Sequence, residues 1–375
     1  MANTWEELGK QVASARKDRG LSQAELAAEL EVDRTAITKM ESGERKIDTF
    51  ELARLAKILR RPIHWFVNDP SPAIVSRRNA RAADEAKTRD EDIALETLAL
   101  DVEQLEALGV LEPKTFPAST EISIETAAAE ARTARERAGL GFDEPVWNLI
   151  EVAERLGLYA FVLSVEADVG GPSEGSYVAL KRGGVALISA AGPSGRRRFT
   201  IAHEMGHHVL ADEYAPEWVV GAGSGEHEKI ISAFAIHFLF PREAIQKRWA
   251  KYGGPTDPRS AAIKLAAEFG LSWTAACAQF ERFGYLDHAT YRQLVAVLPN
   301  DVDFMEQQAT IRDDVTGPRV PPGYGAAVIR ALKKGLIAPA RAIELLHGTV
   351  NLRDLPVPHE LSLDEMTTEL LEPVP

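Results

Sequence analysis

Residues 198–210 read Arg198-Phe-Thr-Ile-Ala-His-Glu-Met-Gly-His-His-Val-Leu210 and hold His203, Glu204 and His207 in the spacing H-E-x-x-H. On an α-helix, residues four apart stand one turn above each other, so His203 and His207 can offer two imidazoles to one ion. Glu204 follows the first histidine by about 100° around the helix axis. That puts a carboxylate beside the metal, where it can take a proton from a bound water instead of ligating, the general-base position of a metallohydrolase. Phe199, Ala202, Gly206 and Leu210 share or flank the histidine face and predict a buried helix. Gly206 costs roughly 1 kcal/mol relative to alanine in a helix interior. Close approach of another backbone or of a substrate would explain it.

Catalytic zinc sites have three protein ligands and a water, and the helix predicted over about 226–240 is the source of the third. Its candidates are Glu226, His227, Glu228 and His237. The apolar face carries Ile231, Phe234, Ala235, Phe238 and Leu239, and three or four residues back from Ile231 lie Glu228 and His227. Spacing leaves those two even and sets His237 towards the edge. The adjacent His208 points about 100° away from His207 and reads as a supporting or surface residue. Three groups are candidates to stabilise an oxyanion: Tyr177, Arg198 and His208.

At 375 residues the chain has room for two or three domains. Hydrophobic content of 45% and charged content of 26% are those of a globular protein. No apolar run long enough to span a bilayer occurs, and the first residues have neither a basic start nor an apolar core, so the expectation is a cytoplasmic protein without a membrane partner. The single cysteine, Cys277, excludes an internal disulfide and a thiolate-rich cluster, so a metal must be held by nitrogen and oxygen. A net charge of -13 argues against whole-chain affinity for nucleic acid. It leaves room for one local binding face.

Residues 4–67 predict five short helices. The first runs from about Thr4 to Arg19, and Ser22 then caps Gln23–Leu30 with Glu25 at the capping-box position. A third begins at Asp33 and runs to about Glu41, a fourth carries Phe50, Leu52, Leu55 and Leu59, and Pro62 opens a fifth. Two short helices joined by a tight turn are a helix-turn-helix arrangement. The stretches Arg16-Lys-Asp-Arg-Gly-Leu-Ser-Gln-Ala-Glu-Leu-Ala27 and Val32-Asp-Arg-Thr-Ala-Ile-Thr-Lys-Met-Glu-Ser-Gly-Glu-Arg45 closely resemble the Cro/C1-type (Xre) repressor domain, over residues 8–66. The resemblance makes Asp33–Glu41 the recognition helix, with Arg34, Thr35, Thr38 and Lys39 facing base edges of DNA and Gln23, Arg45 and Lys46 over phosphates. Residues 1–66 hold twelve basic and eleven acidic residues, so the basic character is local and modest, and Asp33 and Glu41 oppose phosphate affinity.

Residues 68–118 read as a charged linker leading into a helix whose stripe includes Leu95, Leu98, Val102, Leu105 and Leu108. That helix packs on the next domain or self-associates as a homodimer; the pattern does not choose. From about Ser119 two helices, through 127–138 and 145–156, precede three strand-like runs, Leu158–Leu163, Ser176–Lys181 and Gly184–Ser189. The last two form a hairpin through Arg182-Gly183. Helices, a small antiparallel sheet and then the H-E-x-x-H helix is the zincin order, and an exposed sheet edge can hold an extended peptide above the metal. After about Val295 short helices at 326–334 and 339–346 follow a turn-rich break, and the acidic end reads as a mobile tail without assigned chemistry. The fold class is therefore α+β and mostly helical: an all-α helix-turn-helix domain (1–67), the linker and helix (68–118), a zincin-like domain with a helical module (119–295) and a helical extension (296–375).

Arg198 to His207, followed by Glu228-Lys-Ile-Ile-Ser-Ala-Phe-Ala-Ile-His-Phe-Leu-Phe-Pro241, resembles the ImmA/IrrE family of metallo-endopeptidases (M78 type), over roughly residues 120–290 and including Leu265–Ala276. The resemblance implies Glu228 as the third zinc ligand beside His203 and His207, with Glu204 as base. The chain departs from the family at Ile231-Ser232, where Ala-Asn is usual, and at His237, usually acidic or neutral. Members of this family cut a partner repressor and so induce stress-response or mobile-element genes. The resemblance implies a zinc endopeptidase brought to DNA, with a repressor as its protein substrate, and a His-His-Glu site also accepts manganese. Two other classes compete: a DNA-binding regulator whose zinc domain only senses or binds a partner, and an antitoxin-like interaction module. An intact Glu204 favours the peptidase, because a structural zinc site has no use for a base there.

Overall fold

The computed structural model describes residues 4–61, 63–67, 74–78, 85–116, 123–164, 174–210, 224–310 and 313–356. The N-terminal helices are α1 (Trp5–Asp18), α2 (Gln23–Leu30), α3 (Arg34–Glu41), α4 (Thr49–Ile58) and α5 (Ile63–Val67). Thr4, Ser22 and Asp48 each accept a hydrogen bond from the third backbone N–H of their helix, and the carboxylates of Glu7, Glu25 and Glu51 accept one from the backbone N–H of the cap residue. These reciprocal caps fix where α1, α2 and α4 begin. Gly9 lies against the end of α3, where a Cβ would meet Met40 O at 2.3 Å. Only a glycine lets α1 approach that closely.

Strand β1 (Ile74–Arg78) and the long helix α6 (Glu85–Ala107) follow, then α7 (Ile124–Arg137), α8 (Leu149–Arg155), β2 (Leu158–Leu163), β3 (Gly175–Ala179), β4 (Gly184–Ser189), α9 (Ser194–Val209) and α10 (Ser224–Leu239). A helical module continues with α11 (Arg242–Arg248), α12 (Pro258–Phe269), α13 (Trp273–Arg282), α14 (His288–Ala296) and α15 (Asp301–Glu306). The chain then returns with α16 (Pro322–Lys333) and α17 (Pro339–Leu345). The mostly helical α+β class is as the sequence predicts. The end expected to be a mobile tail, from 357, lies outside the described residues.

The sheet has the order β1-β3-β4-β2 among the described residues. The predicted β3–β4 hairpin is present and antiparallel, with Tyr177 opposite Ala186. One pairing corrects the expectation of an antiparallel sheet: β2 runs parallel to β4, Leu158 beside Gly184 through Leu163 beside Ser189. β1, which the sequence placed inside the linker, pairs antiparallel with β3 and is an outer strand of the sheet, while Arg319 bridges Val162 on β2 at the other end of the order.

Both faces of the sheet are covered. Leu158, Ala160, Val162, Ala186 and Ile188 pack with α7 to α10, while Tyr159, Phe161, Val178, Val185 and Leu187 pack with α6, α16 and α17. That period of two within continuous apolar runs is what a two-sided strand requires. Helix α6 thus joins the core beneath the sheet, and its Leu100 enters the N-terminal core with Phe66 and Trp65. Arg61 fastens the N-terminal helices to it, paired with Glu96 and, at 3.1 Å, with Asp18, its guanidinium 4.5 Å from the Trp65 ring centre. No helix among the described residues is long and apolar enough to cross a membrane.

Candidate metal centre and helix-turn-helix face

Helix α9 is buried along nearly its whole length because three layers meet on it. Arg197 and Arg198 anchor its start from beneath. Arg197 pairs with Asp313 at 3.0 Å and donates to Val315 O, while Arg198, wholly buried, pairs with Asp314 and donates to Val146 O. This corrects one oxyanion candidate: the Arg198 guanidinium lies 5.1 Å from the Trp147 ring centre, engaged away from the histidine face.

His203 and His207 stand one turn apart with ring centres 5.0 Å apart, as the spacing requires. Helix α10 crosses beside them and brings Glu228, one of the two residues that spacing left open, up to both rings. Glu228 carboxylate oxygens lie 3.1 Å from His203 Nε2 and 3.6 Å from His207 Nε2. Ligand atoms of the three residues all fall within 4.8 Å of one another, and His227 and His237 are not in that group. The Glu226 side chain lies outside the described residues. Around an ion bonded at about 2.0–2.1 Å, tetrahedral ligand atoms sit about 3.3 Å apart. Two imidazoles and one carboxylate at these separations fit a divalent ion with room for a further ligand.

Gly206 explains how α10 comes so near. A Cβ there would meet Ile231 Cγ2 at 2.9 Å and Phe234 Cδ1 at 3.1 Å, so the glycine sets the spacing between the two helices that carry the three groups. The approaching element is α10. Ser232 on the same helix places Oγ 3.4 Å from His203 Nδ1, so this departure from the family pattern lies against the ring nitrogen facing away from Glu228. Such contacts orient a ligating imidazole. Glu204 is fully buried, and a Cβ on Gly175 would come 2.7 Å from its Oε1, which puts the start of β3 against the carboxylate.

The other two oxyanion candidates are coupled to each other. Tyr177 lies nearly parallel to the His207 ring at 6.5 Å between centres, and its hydroxyl is 3.1 Å from His208 Nδ1. His208 Nε2 faces Leu156 O at 3.0 Å. Burial pushes the His208 pKa down to about 4, against a smaller opposing effect of the Leu156 hydrogen bond. A neutral ring donates from Nε2 to the carbonyl and accepts from the tyrosine hydroxyl at Nδ1. His208 therefore ties α9 to the end of α8, the supporting position the sequence predicts. Cys277 is buried, and desolvation raises its thiol to about 12.

In the N-terminal domain Arg34, Thr35, Thr38, Lys39 and Lys46 are exposed, while Gln23 and Arg45 are half-buried. Gln23 Nε2 donates to Glu41 at 2.8 Å, and its Oε1 accepts from the Thr38 hydroxyl at 3.3 Å. Glu41 also takes Arg16 at 2.6 Å, with only 9% of its side chain exposed. Of the two acidic residues expected to oppose phosphate, Glu41 is thereby turned inward and matched, while Asp33 is exposed. Arg45 is engaged by Glu51, so it would have to exchange that partner to reach a phosphate.

Comparison with known proteins finds two family matches. Residues 12–66 match the family model described as helix-turn-helix, and residues 153–281 match the IrrE N-terminal-like domain of the M78 peptidase family. No curated protein matches the chain. Among solved structures, the crystal structure of Bacillus thuringiensis PlcR in complex with the peptide PapR7 and DNA covers 91% of both chains at 11% identity, with a TM-score of 0.17, too low to carry an argument. The chain thus joins a region that matches a Cro/C1-type helix-turn-helix to one that matches the IrrE N-terminal-like domain of the M78 peptidase family, the fusion that the sequence predicts.

Proposed function

We propose that the chain is a zinc-dependent endopeptidase tethered to DNA by its N-terminal domain, and that it cleaves a transcriptional repressor or similar regulator. The observation that carries this reading is the convergence of His203, His207 and Glu228 with Glu204 held, unligating, on the turn between the histidines. His203, His207 and Glu228 would hold the ion, with manganese as the alternative metal. When bound, zinc supplies a Lewis acid that polarises the scissile carbonyl and acidifies a water to a pKa of about 7. Glu204 then takes a proton from the attacking water and delivers it to the leaving nitrogen as the C–N bond breaks. The Ser232 contact holds His203, and the small Gly175 leaves Glu204 its space at the start of β3.

Arg34, Thr35, Thr38 and Lys39 would read base edges, with Gln23, Arg45 and Lys46 near the backbone. Operator binding delivers the peptidase to a regulator bound nearby, or to one built with a similar domain. The test is to incubate the zinc-loaded chain, and its Glu204→Gln variant, with each co-encoded regulator and to follow new N-termini by mass spectrometry. Cleavage by the parent chain alone supports the reading. Identical products with both, or none with either while zinc is bound and operator DNA is retained, would leave a non-proteolytic DNA-binding regulator as the better account.

A further inference from the structure

We infer that residues 74–78 are an internal competitor for the peptide-binding edge of the sheet, and that a substrate strand enters only when this segment leaves. The inference rests on the peptidase reading and concerns access to the same site. β1 lies antiparallel on β3, with Ile74 opposite Val178, Ser76 opposite Tyr177, Arg77 opposite Ser176 and Arg78 opposite Gly175. The last pair locates it. Gly175 is the residue whose Cβ would strike Glu204 Oε1 at 2.7 Å, so Arg78 lies one strand spacing, about 4.8 Å, from the residue against the base. An extended peptide adding to β3 by backbone hydrogen bonding would need the row that β1 occupies.

The ladder is short and irregular. β1 is five residues long, has β3 as its sheet neighbour in the order β1-β3-β4-β2, and its register shifts between Ile74 and Ser76. A short ladder with a bulge gains little beyond the entropy of ordering it. By contrast β4 is held on both sides, by β3 and β2. In chain order β1 falls between α5, the last helix of the N-terminal domain, and α6, on which that domain docks through Arg61.

The test uses a fluorescein-labelled synthetic peptide of residues 72–81, titrated by anisotropy into the zinc-loaded full chain in the Glu204→Gln background, so that binding is read without turnover. Adjacent prolines, Ser76→Pro with Arg77→Pro, remove whichever N–H faces β3. If the edge is closed nine-tenths of the time, the affinity for added peptide is reduced about tenfold, and the proline variant recovers that factor. A covalent lock supplies the opposite arm. Ile74→Cys with Val178→Cys places two thiols on paired residues, with Cys277 buried away from them. Oxidation should abolish peptide binding and reductant should restore it. Equal affinities in the parent and proline chains, together with equal affinities in the oxidised and reduced lock, would overturn the inference. A chain that gains binding but, with Glu204 restored, does not cut a quenched version of the peptide would keep the inference and count against the peptidase reading.

Discussion

Gly206→Ala is expected to separate metal affinity from fold stability. The added methyl would lie 2.9 Å from Ile231 Cγ2 and 3.1 Å from Phe234 Cδ1, both buried, so relief requires α10 to retreat by about half an ångström or the side chains to leave their rotamers. Overpacking of this kind costs about 1–3 kcal/mol. Alanine returns roughly 1 kcal/mol of helix propensity. The two effects nearly offset, so unfolding of the metal-free protein by urea should move by no more than about 2 kcal/mol. Metal binding has no such compensation. Glu228 rides on α10, and ligand distances are tolerated only within about 0.2 Å, so a shift of helix spacing should weaken zinc by about 10- to 100-fold. Competition against a chromophoric chelator reads that factor directly. Unchanged zinc affinity alongside a gain of about 1 kcal/mol in stability would refute the claim that Gly206 sets the spacing on which the site depends.

Asp314→Ala should destabilise the chain by about 3–5 kcal/mol in urea unfolding, since it leaves the wholly buried Arg198 without its carboxylate and removes the acceptor 3.2 Å from Leu149 N; a loss under about 1 kcal/mol would show that the anchor of α9 lies elsewhere. His237 is held down to about 4, mainly by burial and further by Arg282, with Glu243 opposing. The unfolded chain therefore binds more protons at this position between about pH 4 and 6.5, so stability falls as pH drops through that window and is unaffected above it. His237→Leu should flatten this part of the Tm-against-pH curve, and a curve of unchanged slope would contradict the burial argument. Lys46→Ala, at an exposed position assigned to a phosphate, should reduce the salt dependence of DNA binding by about one unit of slope; an unchanged slope would remove that lysine from the phosphate contacts.

What the sequence disclosed was local. Ser22 with Glu25 and Gly20 beyond α1 punctuate the helix-turn-helix so clearly that α2 has the predicted bounds. Apolar runs marked β2, β3 and β4 because a strand covered on both faces has few polar positions to confuse it. The H-E-x-x-H spacing guaranteed the geometry of His203 and His207 and left Glu228 undivided from His227, because that choice depends on how α10 crosses α9. Strand order was hidden for the same reason: nothing within Leu158–Leu163 encodes a parallel neighbour. β1 was illegible because Ile-Val-Ser-Arg-Arg becomes a strand only against β3. The pairing of Asp313 and Asp314 with Arg197 and Arg198 had no sequence signal, because the partners lie 116 residues apart. Gly175 and Ser232 carry no spacing signal at all; their significance arises from contact with Glu204 and His203.

The central claim is that α9 and α10 together hold one catalytic ion, and its most direct test is the metal content of the purified chain beside His203→Ala and Glu228→Ala. About one zinc per chain, lost in both variants while the helical fold persists, is the predicted result. Metal absent from the parent chain, or retained after loss of Glu228, would contradict it.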